Sequence, residues 1–155
     1  MIRPLLKQDV PQIVGLATVM AAETGHRLHA DRTQYILNDI IELDSVFAQG
    51  RVEDDGRCTS MFIGETSEHP FFDALFAQEL AIYTHPDRRG SLDAARLVKA
   101  FTAWATEKAV DYIKVEITAG VDNERAAQLF EKFGYSKGGI LAFQGIRREV
   151  WPLQQ

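Results

Sequence analysis

Residues 82–101 read IYTHPDRRGSLDAARLVKAF, an apolar run broken at His85-Pro86 and followed by two arginines, a glycine and a helical pattern. Ala94, Leu97, Val98, Phe101, Trp104 and Ala105 recur at the three- and four-residue steps of an amphipathic helix. The run ELAIYT, Glu79 to Thr84, is too short for a helix and reads as a largely buried strand. A strand thus feeds a helix through Arg88, Arg89, Gly90 and Ser91. The first N–H groups of a helix lack intrahelical partners and carry partial positive charge, so such a junction receives phosphates well. Glycine lets the backbone approach an anion closely, and arginine adds charge-assisted hydrogen bonds. On this stretch alone an ordinary loop with two solvated arginines reads equally well.

Toward the N-terminus, MIRPL can pair as a first strand. Val10, Ile13, Val14, Ala17, Met20 and Ala21 predict a helix with Asp9 as N-cap, Pro11 in its first turn and Gly25 at its end. HADRTQYILNDIIELD, from His29, predicts a second helix with Asp31 at its start. SVFAQGRVED and CTSMFIGE, joined by DDGR, predict an antiparallel hairpin. HPFFDALFAQ, residues 69–78, is ambiguous; its Phe71, Phe72, Leu75 and Phe76 read better as core than as the wall of an acceptor pocket. Toward the C-terminus DYIKVEIT alternates as a strand, and DNERAAQLFEKFGY is a helix closed by Gly134. GGILAFQG and IRREVW supply one or two last strands. Strand, helix, strand in the middle of the chain implies parallel pairing with a right-handed crossover, and the hairpin makes the sheet mixed. The expected fold is α/β (α+β): a single mixed, mostly antiparallel central sheet flanked by helices, in one domain spanning residues 1–155.

The chain has 155 residues, 46% hydrophobic and 25% charged, with a formal net charge of -5. That balance argues against nucleic acid as a partner and suits a cationic or amine acceptor. Cys58 is the single cysteine, which excludes an intramolecular disulfide and a thiolate zinc cluster. His26, His29, His69 and His85 are scattered without ligand spacing, so no metal is expected. No apolar stretch approaches the roughly 20 residues of a membrane span, and MIRPLLKQDV has no signal-peptide core. The expectation is a cytoplasmic protein with no membrane partner.

Two motifs carry the functional reading. His85-Pro86-Asp87-Arg88-Arg89-Gly90 ends a strand in an hPxxRG pattern, and Arg89-Gly90-Ser91-Leu92-Asp93-Ala94 overlays Q/R-x-x-G-x-G/A. Asn123, Ala126, Leu129, Phe130, Gly134 and Tyr135 then match N-x-x-A-x-x-h-h-x-x-x-G-h. In this order, one strand apart, they make the chain resemble the GCN5-related N-acetyltransferases, the GNAT family. The resemblance implies a GNAT-like acyl-CoA N-acyltransferase fold. It also implies direct transfer of acetyl from acetyl-CoA, a cosubstrate, to a primary amine of a small molecule or protein. It places the diphosphate on N–H groups from Arg89 to Ala95, with Arg88, Arg89, Gly90, Ser91, Asp93, Ala94 and Ala95 around it. Main-chain groups of Ile82, Tyr83 and Thr84 would meet the pantetheine arm, and a strand N–H, assigned to Ile82, would stabilise the oxyanion. Asn123 and Phe130 would lie near the cofactor, Asn123 also serving as a cap in competition with Asp122. Glu79 is the expected general base, acting through water, with Glu65 and His85 next.

The chain departs from the family pattern at two places. Leu92 stands where glycine is usual, with the Asp93 carboxylate beside it. Phe130 stands where many members have a tyrosine that protonates the leaving thiolate; Tyr83 or Tyr135 are the available substitutes. These departures leave open a second reading, a CoA-binding or protein-interaction module of weak or absent turnover. A nucleotide-binding α/β protein is the more distant alternative, and the chain has no G-x-x-x-x-G-K-[ST]. In this fold the acceptor is expected at the loop Ala21–Asp31, where Glu23, His26 and Arg27 are candidates. The aromatic C-terminal end with Trp151 suits a homodimer.

Overall fold

The computed structural model describes residues 1–116 and 122–138. Its elements follow the chain as β1 (Ile2–Pro4), α1 (Val10–Thr24), α2 (Ala30–Ile40), β2 (Val46–Val52), β3 (Cys58–Glu68), β4 (Leu75–Thr84), α3 (Asp93–Glu107), β5 (Tyr112–Lys114) and α4 (Asn123–Glu131). The strands form one sheet in the order β1-β2-β3-β4-β5. The first three pairings are antiparallel and β4–β5 is parallel, joined through α3. The mixed, mostly antiparallel α+β architecture expected from the sequence is therefore present. The strands expected beyond residue 138, and Trp151, lie outside the described residues.

Helices cover both faces of the sheet. Val10, Ile13 and Leu16 of α1 pack with Met61, Ile63 and Tyr83 on one face. Leu97, Val98 and Phe101 of α3 and Phe130 of α4 pack with Phe47, Phe62 and Ala77 on the other. Leu97, Val98 and Phe101 are fully buried, each stabilising the fold by about 1.5–3 kcal/mol. Phe62 stacks on Phe101 with centroids 4.3 Å apart, which fixes the middle of α3 over the middle of the sheet. Central β3 is buried without interruption from Cys58 to Gly64, the pattern of a strand covered on both sides.

Three local expectations change. Asp9 does occupy the N-cap position of α1, but its carboxylate makes no cap hydrogen bond. It instead accepts the Arg3 guanidinium at 2.7 and 2.8 Å and the Leu6 N–H at 2.9 Å. The strongly directed arginine fork outcompetes a neutral cap. The ambiguous segment becomes strand from Leu75 onward, so only residues 69–74 remain to turn between β3 and β4. Phe71 and Phe72 at that tip are 86% and 69% exposed and are not core. Phe76, on β4, stacks on Tyr112 of β5 at 5.3 Å. Among the described residues no helix is long and apolar enough to cross a membrane.

Candidate active site

The two edges of β4 differ. On one side β4 pairs with β3 along its whole length, from Leu75 opposite Glu68 to Thr84 opposite Ser60. On the other, among the described residues, it pairs with β5 only at Phe76, Ala77 and Gln78. Beyond Gln78 no further pair forms among the described residues, and this open edge of β4, from Glu79 to Thr84, is the fork. The β3–β4 register slips at the same place: Ile63 faces Ala81 and Gly64 faces Glu79, leaving Leu80 as an extra residue. Such a bulge bends its strand and redirects the side chains beside it. Gly64 is required opposite it, because a Cβ there would lie 2.6 Å from Phe101 Cε2 and 2.8 Å from the Gln78 carbonyl oxygen.

The pairing decides which main-chain groups the fork exposes. His85 donates its N–H to the Thr59 carbonyl at 2.9 Å, and Tyr83 sits opposite Met61 in the same register. Main-chain groups alternate sides along a strand. Those of Tyr83 therefore face β3, and those of Ile82 and Thr84 face the fork. Of the three positions expected to offer their backbone, Tyr83 is the exception; it meets the site by its side chain.

Glu79 lies one residue past the last β4–β5 pair, half-buried in the crotch of the fork. Burial pushes its carboxyl up to about 7, helped by the charge of Glu116 and opposed by the Glu116 main-chain N–H. The other two candidate bases are engaged otherwise. Glu65 accepts the Gln78 amide at 2.8 Å, and His85 Nδ1 accepts the Asp87 N–H at 3.2 Å. Cys58 is buried, which pushes its thiol up to about 11 and leaves it a core residue.

At the far end of β4 the chain makes a short 3-10 turn over Pro86–Arg88 and reaches Gly90 at φ 86°. A Cβ on Gly90 would meet nothing within 4 Å, so glycine is needed there for its left-handed conformation. The first intrahelical bond of α3 runs from the Arg96 N–H to the Leu92 carbonyl. The N–H groups of Ala94 and Ala95 precede it and point out of the helix mouth.

The side chains around this mouth form two ion-pair clusters. Asp93 is 1% exposed. Arg51 Nε and Nη2 donate to it at 2.8 and 2.7 Å, and Arg88 Nη2 at 3.3 Å. Burial opposes the Asp93 charge, but Arg51 and Arg88 outweigh it and hold the carboxyl below its ordinary range. Ser91 Oγ accepts the Asp93 N–H at 3.3 Å, while Leu92 is 64% exposed. Arg89 forms the second cluster. Its Nη1 and Nη2 donate to the Glu23 carboxylate at 2.6 and 2.5 Å, and the Tyr83 hydroxyl donates to the same carboxylate. Arg89 and Tyr83 together pull the Glu23 carboxyl down, whereas burial and the Glu23 charge push the Tyr83 phenol up to about 12.

Asn123 is the first residue of α4, and the cap is Asp122, which accepts the Arg125 N–H at 3.2 Å. Phe130 is 3% exposed and packs edge-on against Tyr135 at 5.1 Å. The Tyr135 hydroxyl lies 2.8 Å from Thr102 Oγ1. A cleft of about 470 Å3 between the β2–β3 turn and the loop after β4 is lined by Glu53, Asp54, Asp55, Arg57, Asp87 and Arg88 among others. Its carboxylates outnumber its guanidinium groups, so it is the wrong place for a diphosphate. Among the described residues no His, Cys, Asp and Glu cluster of three or more forms a metal site.

Residues 14–135 match the family model described as the acetyltransferase (GNAT) family. No curated protein sequence matches the chain significantly. Among solved structures, the chain is similar to a ribosomal-protein-alanine N-acetyltransferase from Brucella melitensis biovar Abortus 2308, at 19% identity and TM-score 0.66 over 95% of this chain and 99% of that one. It is similar to glucosamine-6-phosphate N-acetyltransferase from Arabidopsis thaliana, at 12% identity and TM-score 0.75 over 95% and 98%. It is also similar to AAC(6')-Iy in complex with the bisubstrate analog CoA-S-monomethyl-acetylneamine, at 17% identity and TM-score 0.73 over 95% and 97%. At these identities the likeness is one of fold.

Proposed function

Because the chain belongs to the acetyltransferase (GNAT) family, we propose that it is an N-acetyltransferase moving acetyl from acetyl-CoA to a primary amine of a small molecule or protein. The observation that carries this is the fork at β4, with Glu79 at its crotch and the main chain of Ile82 and Thr84 along it, which has no strand partner there among the described residues. The residues present fit the cofactor. Asp93, the one carboxylate in the phosphate loop, is turned into the protein and neutralised by Arg51 and Arg88. The mouth of α3 therefore keeps the positive character of its first-turn N–H groups at Ala94 and Ala95. The N–H groups of Arg89, Ser91 and Asp93 are instead bonded to the Pro86 carbonyl, the Arg88 carbonyl and Ser91 Oγ.

Acetyl-CoA supplies an activated acetyl thioester when bound. The Ile82 N–H, on the edge of β4 away from β3, would donate to an oxygen that gains negative charge there. Glu79, poised near neutral pH, takes a proton from the acceptor ammonium directly or through water. Neither candidate phenol is idle, since Tyr83 donates to Glu23 and Tyr135 is bonded to Thr102. The leaving thiolate is therefore left to solvent, which is tolerable because a thiol is acidic enough for its thiolate to leave without an enzyme-bound acid. This same feature favours the second reading, a CoA-binding or protein-interaction module of low turnover. The similar solved structures are named for acceptors as different as a ribosomal-protein alanine and glucosamine-6-phosphate, so the fold leaves the amine open. Thiol release from acetyl-CoA against a panel of peptide, polyamine, amino-sugar and aminoglycoside amines tests the proposal. Acetyl-CoA that neither binds nor raises the melting temperature would end both readings; binding with no thiol release across the panel would leave the module.

A further inference from the structure

The Arg89–Glu23 pair ties the phosphate loop to the last turn of α1, and it does so with the arginine expected to meet the diphosphate. Both terminal guanidinium nitrogens, Nη1 and Nη2, are committed to one carboxylate. The Arg89 Cζ also sits 5.7 Å from the centre of the Tyr83 ring. Tyr83 holds Glu23 from the other side, so the carboxylate is fixed by β4 as well as by the loop. The pair is only partly covered, with side chains 36% and 28% exposed. A partly hydrated ion pair of this kind is weak enough to be exchanged for a better anion. A diphosphate carries more charge than a carboxylate and offers the same fork-shaped guanidinium more acceptor oxygens.

Resting on the diphosphate reading given above, we infer that Glu23 is an internal competitor for Arg89, holding the loop closed on α1 until the cofactor's diphosphate takes its place. The exchange links two parts of the site. Glu23 is the second-last residue of α1, and it lies inside the stretch expected to form the acceptor loop, Ala21–Asp31, of which Ala21 to Thr24 are helical. When Arg89 turns to the diphosphate, Glu23 loses its cation and keeps only the Tyr83 hydroxyl. An unpaired carboxylate at the root of the acceptor loop then favours a positively charged amine. The cofactor therefore prepares the acceptor side by removing a cation from it.

The sign of one substitution decides between this exchange and a merely structural clamp. Glu23→Gln removes the competing charge and keeps the side chain's shape. Titration calorimetry with CoA should show it binding about two- to fivefold tighter than wild type, the size expected for removing a weak ion pair. Pantetheine, which has no diphosphate, should bind both proteins equally. In an Arg89→Gln background Glu23→Gln should change nothing, because the competition needs both partners. Equal or weaker CoA binding by a folded Glu23→Gln protein overturns the inference while leaving the diphosphate site standing. A gain that pantetheine shares, or that survives Arg89→Gln, also overturns it. Wild-type protein that fails to bind CoA removes the diphosphate reading itself. Should Glu23→Gln prove unfolded by circular dichroism, Glu23→Asp serves instead: its shorter side chain must also tighten CoA binding, and equal or weaker binding overturns the inference.

Discussion

Replacing Glu79 with glutamine keeps the outline of the side chain and removes its charge, so stability and rate should move in opposite directions in mild alkali. Burial raises this carboxyl from 4.5 to about 7 in the folded protein. The folded state thus holds the Glu79 proton more tightly than the unfolded state does. The stability that results is complete below about pH 4.5 and is lost as pH rises through about 7. A difference of that size corresponds to about 3 kcal/mol at full ionisation, most of it falling between pH 5 and pH 8. Because Glu79 is half-buried and keeps some water, about 2 kcal/mol is the fairer figure. Glu79→Gln escapes that loss. Thermal melts should show the variant close to wild type at pH 5 and roughly 4–8 °C above it at pH 8. Over the same range its turnover should fall by roughly 10²–10⁴-fold, with the rate limb near pH 7 gone. A variant that gains nothing at pH 8 relative to pH 5 would show that Glu79 is not buried at the fork. One that keeps the wild-type limb would show that another group takes the proton.

Three further outcomes follow from the same geometry. Asp93→Asn strands the Arg51 guanidinium, whose side chain is 15% exposed, and should cost about 3 kcal/mol in urea melts; Arg51→Met added to Asp93→Leu should recover part of it. Asp93, with its carboxyl held low, stabilises the fold above about pH 4 and loses that contribution as pH falls below its ordinary value, so the Asp93→Asn deficit should shrink in acid. Gly64→Ala puts a methyl 2.6 Å from Phe101 and should destabilise by about 1–3 kcal/mol while disturbing the bulge that aims Glu79; a neutral effect would mean that Phe101 yields. In amide exchange, the Tyr83 N–H should be slow without ligand because it faces β3, whereas Ile82 and Thr84 should be fast and slow down on adding CoA. Uniform rates across the three would contradict the register of β4.

The order of elements was legible because each rests on local pattern. The stripe from Ala94 to Ala105 could only be a helix, ELAIYT could only be a strand, and the motif of residues 85–90 joined them. What the sequence could not display are the contacts made at a distance. Arg51 and Asp93 lie 42 positions apart, and Glu23 and Arg89 lie 66 apart. No spacing rule joins either pair; only the sheet order brings them together. The bulge at Leu80 is invisible for a related reason, since it is a property of two strands in register rather than of either one. Phe71 and Phe72 read as core from apolar content, which carries no information on how far β3 and β4 extend and leaves both at an exposed tip. Glu116 was missed although its position is local to the fork, because its place beside Glu79 depends on where β5 leaves β4.

On the proposed function, the Arg51–Asp93 pair accounts for how the chain could tolerate its departures from the family loop. A diphosphate held by main-chain N–H groups needs the helix mouth to stay open and uncharged by carboxylates; it does not need each loop residue to be glycine. Leu92 satisfies the first condition by pointing to solvent, at 64% exposure. Asp93 satisfies the second only because Arg51 reaches across from β2 and Arg88 from the loop itself. An aspartate there without Arg51 would be a buried, half-compensated charge beside the phosphates, costly to folding and repulsive to the cofactor at once. The two residues therefore act as one substitution. Arg51→Ala alone should weaken CoA binding from a position on β2 with no main-chain place in the loop, and Asp93→Ala in the same protein should restore much of it. If Arg51→Ala leaves CoA affinity intact, the Asp93 charge has no influence at the mouth of α3.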